Sequence, residues 1–198
     1  MSRRIRRTPF TSCIEKLGVS GFTVVNHTLL PKSFTRSIEE DFAHLRTDVQ
    51  MWDVGCQRQV EIEGPDALSL VQMMTPRNVG NAQVGQCLYL ALTTDKGKII
   101  NDPILLKLND EKFWLSIADS DVLLWAKALA IGLNLNVSVR EPDVSPLAIQ
   151  GPAAQDVMIE IFGKGVRDLG FFRFGRFDFE DTQQVISRTG YSSQNGYE

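Results

Sequence analysis

A chain of 198 residues, 43% hydrophobic and 23% charged, can bury an ordinary globular core, which excludes disordered and fibrous classes. Its net charge of −3 offers no footprint for a nucleic-acid backbone, and no apolar run reaches the roughly 20 residues a membrane helix needs. The scattered Cys13, Cys56 and Cys87 suit neither a disulfide framework nor a metal site, so reduced thiols in the cytoplasm and no bound metal are expected.

Residues 1–36 are expected to form a basic arm and lead-in, with Arg3, Arg4, Arg6 and Arg7 ahead of Pro9 and no acid within residues 1–10. Residues 37–198 are expected to form the main region. Ser37 caps a helix to Val49, with Ile38, Phe42, Leu45 and Val49 at helical spacing. Arg58 to Glu63 alternates as a strand, and Gly64-Pro65-Asp66 opens a helix that runs to Met74. A meander follows: a strand over 88–92, a turn at Asp95-Lys96-Gly97-Lys98, a returning strand over 99–108 and a third over 113–117. Residues 120–130 are apolar on nearly every side and predict a buried helix. Short strands over 137–139 and 147–149 lead to a proline-led helix over 152–162, with Val157, Ile161 and Phe162 inward. Phe172, Phe174, Phe177 and Phe179, with the run 184–188, predict a last hairpin whose partners lie beyond residue 198. The pattern is α+β, with antiparallel sheets and packed helices.

Familiar catalytic machinery is absent: no phosphate-cradling glycine loop, no Gly-x-Ser-x-Gly elbow, and His27 and His44 too far apart for metal-ligand spacing. What stands out is Asn101-Asp102-Pro103 inside an apolar strand. A buried, unpaired carboxylate there would cost several kcal/mol, so Asp102 needs a partner. Pro103 cannot donate to a ladder, which implies a bulge or an edge that re-aims the aspartate. A structural bulge aspartate satisfied by a backbone amide fits this pattern as well as a functional one.

Several blocks, in order, carry a family resemblance. Tyr89, followed by Thr94-Asp95-Lys96-Gly97-Lys98-Ile99-Ile100-Asn101-Asp102, is similar to a signature of the folate-binding aminomethyltransferase family, to which the glycine-cleavage T-protein belongs. His44-Leu45-Arg46 with Trp52-Asp53-Val54, Val60-x-Ile62-x-Gly64-Pro65-Asp66-Ala67, Leu147-Ala148-Ile149-Gln150-Gly151-Pro152 and the terminal Arg188-Thr189-Gly190-Tyr191 through Gly196-Tyr197-Glu198 agree in sequence order. Residues 7–12, 52–56, 72–77 and 116–125 resemble the branch of that family that demethylates dimethylsulfoniopropionate. The family's aspartate pair is Asn101-Asp102 here. The last block stops where a further strand is expected, so the chain looks like the N-terminal portion of that fold, apparently truncated.

The resemblance implies tetrahydrofolate as cofactor, a small sulfonium substrate, and no nucleic-acid or membrane partner. A homodimer is left open for the full-length form. It implies Asp102 as the catalytic-site residue near folate N5, and Tyr89, Asp102 and Glu198 as folate contacts. A carboxylate such as Glu198 can accept two pterin N–H groups side by side. Trp52 and Tyr191 are the weaker candidates for cation–π contact with the sulfonium, from a pool that includes Trp114, Phe171 and Phe172. The alternatives are a glycine-cleavage aminomethyltransferase and a non-catalytic folate-binding relative.

Overall fold

The computed structural model describes residues 5–117 and 121–198. It divides into two compact units, Met1–Cys56 with Ser145–Glu198, and Gln57–Val144.

The first unit begins with helix α1 (Thr11–Lys16) and the hairpin β1 (Gly21–Val25) and β2 (Thr28–Ser33). Asn26 and His27 supply the two left-handed residues, at φ 51° and 61°, that a tight two-residue hairpin turn requires. Helix α2 (Ile38–Thr47) starts as expected at Ser37. The Ser37 hydroxyl accepts from Glu40 N at 3.2 Å and Glu40 Oε2 accepts from Ser37 N at 2.8 Å, a full capping box. Its apolar stripe is less buried than the spacing predicts: Ile38 is 80% and Phe42 57% exposed. Strand β3 (Gln50–Asp53) follows.

The second unit holds β4 (Gln59–Glu63), α3 (Ala67–Met74), β5 (Cys87–Tyr89), β6 (Leu92–Thr93), β7 (Ile99–Asn101), β8 (Ile104–Asn109), β9 (Lys112–Ser116), α4 (Val122–Gly132) and β10 (Ser138–Arg140). Its main sheet runs β10-β4-β9-β8-β5, antiparallel throughout, with β6 and β7 as a separate hairpin. Val60 and Ile62 of β4, with Phe113 and Leu115 of β9, turn one face to Leu70 and Met74 of α3 and Val122 and Ala126 of α4. Their alternates turn to the other face: Glu61, 1% exposed, accepts from Trp114 Nε1 at 2.7 Å and pairs with Lys112 at 3.1 Å and Arg140 at 2.5 Å. Two expectations need correction. The strands over 88–92 and 99–108 are each broken in two, because the chain must leave the main sheet to build the β6–β7 hairpin. Helix α4 buries one side only: Leu124 is 63% and Ile131 81% exposed, and its expected first residue Ser120 lies outside the described residues.

The first unit resumes with β11 (Leu147–Gln150), α5 (Ala154–Phe162), a 3-10 turn (Lys164–Asp168), the hairpin β12 (Phe174–Phe179) and β13 (Thr182–Ser187), and β14 (Gly196–Tyr197). A second sheet runs β14-β11-β3. The inward face of α5 is Ala154, Met158, Ile159 and Phe162, not Val157 and Ile161. Its core also takes Val166, Ile186 and Tyr197. The last hairpin finds cover within the unit, because Phe162 stacks on Phe177 at 6.5 Å and Phe179 at 5.7 Å. Both units turn a strand into a helix through Gly-Pro: β4–Gly64–Pro65 before α3, and β11–Gly151–Pro152 before α5.

Candidate functional site

In the second unit, Tyr89 ends β5 and Asp102 fills the gap between β7 and β8. The gap exists because Pro103 has no N–H to give; its carbonyl instead accepts from Leu90 N at 2.9 Å. Asp102 is thereby pushed to the surface while Asn101 before it is 5% exposed. This explains why the pair is Asn-Asp: the inward position takes a neutral amide, and the outward one can carry charge at little desolvation cost. Tyr89 Oη donates to Asp102 Oδ2 at 2.6 Å, so the expected partner of the aspartate is the expected neighbouring residue. Arg77 Nη1 holds the Tyr89 carbonyl at 2.7 Å. The sequence reading quoted Arg77 within a block but assigned it no role.

In the first unit, Glu198 follows β14. Its main chain pairs with Ser187, N to O at 2.9 Å and O from N at 2.8 Å. Thr189 Oγ1 donates to Glu198 Oε2 at 2.5 Å, and Ser187 Oγ lies 2.7 Å from Thr189 Oγ1. Among the described residues, Thr189 alone hydrogen-bonds this carboxyl. Burial pushes the Glu198 pKa above its usual 4.5, and the Thr189 hydroxyl offsets only part of that. A carboxyl in this state gains from any ligand N–H donors it can accept.

Gln150, at the end of β11, is 1% exposed. Its Nε2 donates to the carbonyls of Thr189 and Tyr197, both at 3.1 Å, and its Oε1 accepts from Ser192 Oγ at 2.8 Å. A side chain at Gly190 or Gly196 would run into the Gln150 amide. Two blocks far apart in sequence are therefore one piece of structure, a link that spacing could not reveal.

Trp52 lies on β3 opposite Ala148 and is 39% exposed; Tyr191, in the 188–198 segment, is 97% exposed. Strand β3 and strand β14, which follows the loop carrying Tyr191, flank β11 on either side. Asp53, buried, accepts from Thr8 Oγ1 and from Gly55 N at 2.9 Å, which fastens the N-terminal segment to β3. Trp114, in the sulfonium pool, is committed to Glu61. Phe171 and Phe172 pack against each other at 4.8 Å. Among the described residues, no group of three or more His, Cys, Asp or Glu side chains could hold a metal ion, and no helix is long and apolar enough to cross a membrane.

An antiparallel α+β fold with a strand–Gly-Pro–helix corner in each unit and the terminal Arg-Thr-Gly-Tyr segment defines a protein class. The chain belongs to the family of the GCVT N-terminal domain, whose model matches residues 10–198. It is 47% identical over 197 residues to dimethylsulfoniopropionate demethylase DmdA of Ruegeria pomeroyi, covering 100% of this chain and 54% of that protein. It is 30% identical over 199 residues to an aminomethyltransferase of Bacillus cereus, covering 98% of this chain and 53% of the relative. The glycine cleavage system aminomethyltransferase T from Bartonella henselae shares the fold, with a TM-score of 0.86 at 22% identity over 98% of this chain and 52% of that one. The chain spans about half the length of the curated relatives it matches.

Proposed function

We propose that this chain is part of a tetrahydrofolate-dependent methyltransferase that moves a methyl group from dimethylsulfoniopropionate to tetrahydrofolate. The observation that carries the reading is the 47% identity to the demethylase across the whole chain, against 30% to an aminomethyltransferase. The folate end of the proposal rests on Tyr89, Asp102 and Glu198. Glu198, with its pKa raised by burial and one oxygen held by Thr189, suits an acceptor of pterin N–H groups. Asp102, exposed and oriented by the Tyr89 hydroxyl, suits a group that orients the folate ring and tunes charge near N5. Tetrahydrofolate supplies the nucleophilic nitrogen when bound.

The sulfide that leaves a sulfonium is neutral, so the protein needs no strong general acid at that atom. Positioning supplies most of the rate, and over-stabilising the cation would slow it. Trp52 and Tyr191, both solvent-accessible aromatics of the first unit, are proposed as the sulfonium-facing rings. A cytoplasmic location fits a folate-dependent reaction on a small substrate, and a homodimer in the full-length form is testable by sizing.

The experiment is to incubate the full-length protein with dimethylsulfoniopropionate and tetrahydrofolate and to analyse the products by mass spectrometry. Methylthiopropionate and 5-methyl-tetrahydrofolate, formed without a lipoyl-protein partner, are expected. Methylene-folate from aminomethyl-lipoyl protein, with no methylated folate from the sulfonium, would establish the aminomethyltransferase instead.

A further inference from the structure

We propose that Gln150 is a positioning residue that aims the Glu198 carboxyl at the ligand; the proposal rests on the folate reading above. Gln150 is among the few fully buried polar side chains, at 1% exposure. A buried primary amide brings two N–H donors and a carbonyl that must all be met. All of its partners come from one segment. Nε2 reaches the carbonyls of Thr189 and Tyr197, and Oε1 takes the Ser192 hydroxyl. Thr189 is the residue that hydrogen-bonds Glu198, and Tyr197 is the residue that carries Glu198 into place. One amide thus fixes both ends of the loop that aims the carboxyl.

Other hydrogen bonds hold the loop near its ends: the Arg188 main chain pairs with Phe172 and Arg173, and the Asn195 carbonyl accepts from Gly151 N at 2.7 Å. Its middle is open: Tyr191 is 97% exposed, and Ser193 is exposed with φ 59°. Segments with so few buried apolar contacts are the ones that open most readily. Gly190 and Gly196 belong to the same arrangement, since a side chain at either would displace the amide. The chemistry also specifies glutamine. Two facing carbonyl oxygens require N–H donors, so a glutamate carboxylate would be repelled. Asparagine is one methylene short, and methionine fills the volume but donates nothing.

The alternative, a core amide satisfied for stability alone, predicts a different outcome in a double-mutant cycle. Tetrahydrofolate is titrated calorimetrically into the full-length wild-type protein and its Gln150→Met, Glu198→Gln and double variants. Gln150→Met should weaken binding about tenfold, as the loss of one to two net hydrogen bonds implies. The double variant should bind within about twofold of Glu198→Gln, because a misaimed carboxyl and a missing one forfeit the same contact. Unchanged affinity in Gln150→Met, or losses that multiply in the double variant, overturns the positioning role and leaves the folate reading standing. A full-length wild-type protein that does not take up tetrahydrofolate, or a Glu198→Gln variant that binds as wild type does, overturns the folate reading and this proposal with it. Should Gln150→Met fail to fold, Ser192→Ala removes one contact at a half-buried position. It should cost about three- to fivefold, again absorbed by Glu198→Gln, and unaltered affinity would overturn the role.

Discussion

Glu198 sets burial against charge. Because burial raises its folded pKa above 4.5, the charged form is disfavoured in the folded chain. Its contribution to stability therefore falls as pH rises from the unfolded value through the folded one. Glu198→Gln removes that cost. The variant should melt higher than wild type at neutral pH, with the gain vanishing in acid, and should bind tetrahydrofolate about 1.5–3 kcal/mol more weakly. Thermal scans across pH with calorimetry check both arms, and a variant destabilised at neutral pH would contradict the assignment of cause. Asp102 is a different case: exposed, it is proposed above to act through orientation. Asp102→Asn in the full-length enzyme should slow methyl transfer while leaving measurable turnover, since positioning supplies most of the rate. Tyr89→Phe, which removes the 2.6 Å hydrogen bond but keeps the ring, should reproduce part of that loss. Steady-state rates for the two variants decide it, and full activity in Asp102→Asn would remove the residue from the site.

On the β10–β4–β9 ladder the buried Glu61 carboxyl pairs with Lys112 and Arg140. Burial pushes the Glu61 carboxyl up, but the Trp114 and Lys112 hydrogen bonds and the Lys112 and Arg140 charges outweigh it and hold the pKa below 4.5. The stability this supplies is present above the unfolded value and is lost as pH falls through the lower folded one. Glu61→Gln should destabilise the second unit by about 1–3 kcal/mol near neutral pH and flatten its acid sensitivity. Urea unfolding at neutral and acid pH measures this, and an equal loss at both would show that charge is not the cause. In the first unit the comparable element is the β12–β13 hairpin, which leans on Phe162. Phe162→Ala should cost about 2–3 kcal/mol, less than the loss of a fully buried ring because Phe162 is only half-buried.

At the scale of the molecule, each unit has its own apolar core, one centred on α3 and α4 against the five-stranded sheet and one on α5 against the β12–β13 hairpin and β14. Hydrogen exchange should show the slowest amides in β4, β9 and β8, the three interior strands of the five-stranded sheet. The surface also carries many large apolar groups: Ile38, Met51, Met73, Leu124, Ile131 and Phe171 are each more than 60% exposed. Exposed apolar groups of this size favour hydrophobic contact with other molecules. The 198-residue chain should therefore bind a hydrophobic dye or self-associate at micromolar concentration. A monodisperse monomer without dye signal, by light scattering and fluorescence, would refute this.

Local signals were legible in the sequence wherever the physics is local. The Ser37 cap, the Gly97 turn, the proline-led corners and the alternation of β4 act over a few residues, and each formed where its pattern stands. The Asn101-Asp102-Pro103 anomaly was also readable, because a proline without an N–H must interrupt a ladder wherever it falls. Only the tertiary structure decided which faces are covered. Helix α4 looked buried all round because composition counts apolar residues, while burial depends on how many neighbours arrive; only one side met the sheet. The binding of Thr189, Ser192 and Tyr197 by Gln150 was likewise beyond periodicity. Its partners lie about 40 residues along the chain, and chain separation of that size does not encode which groups the fold brings into hydrogen-bond reach.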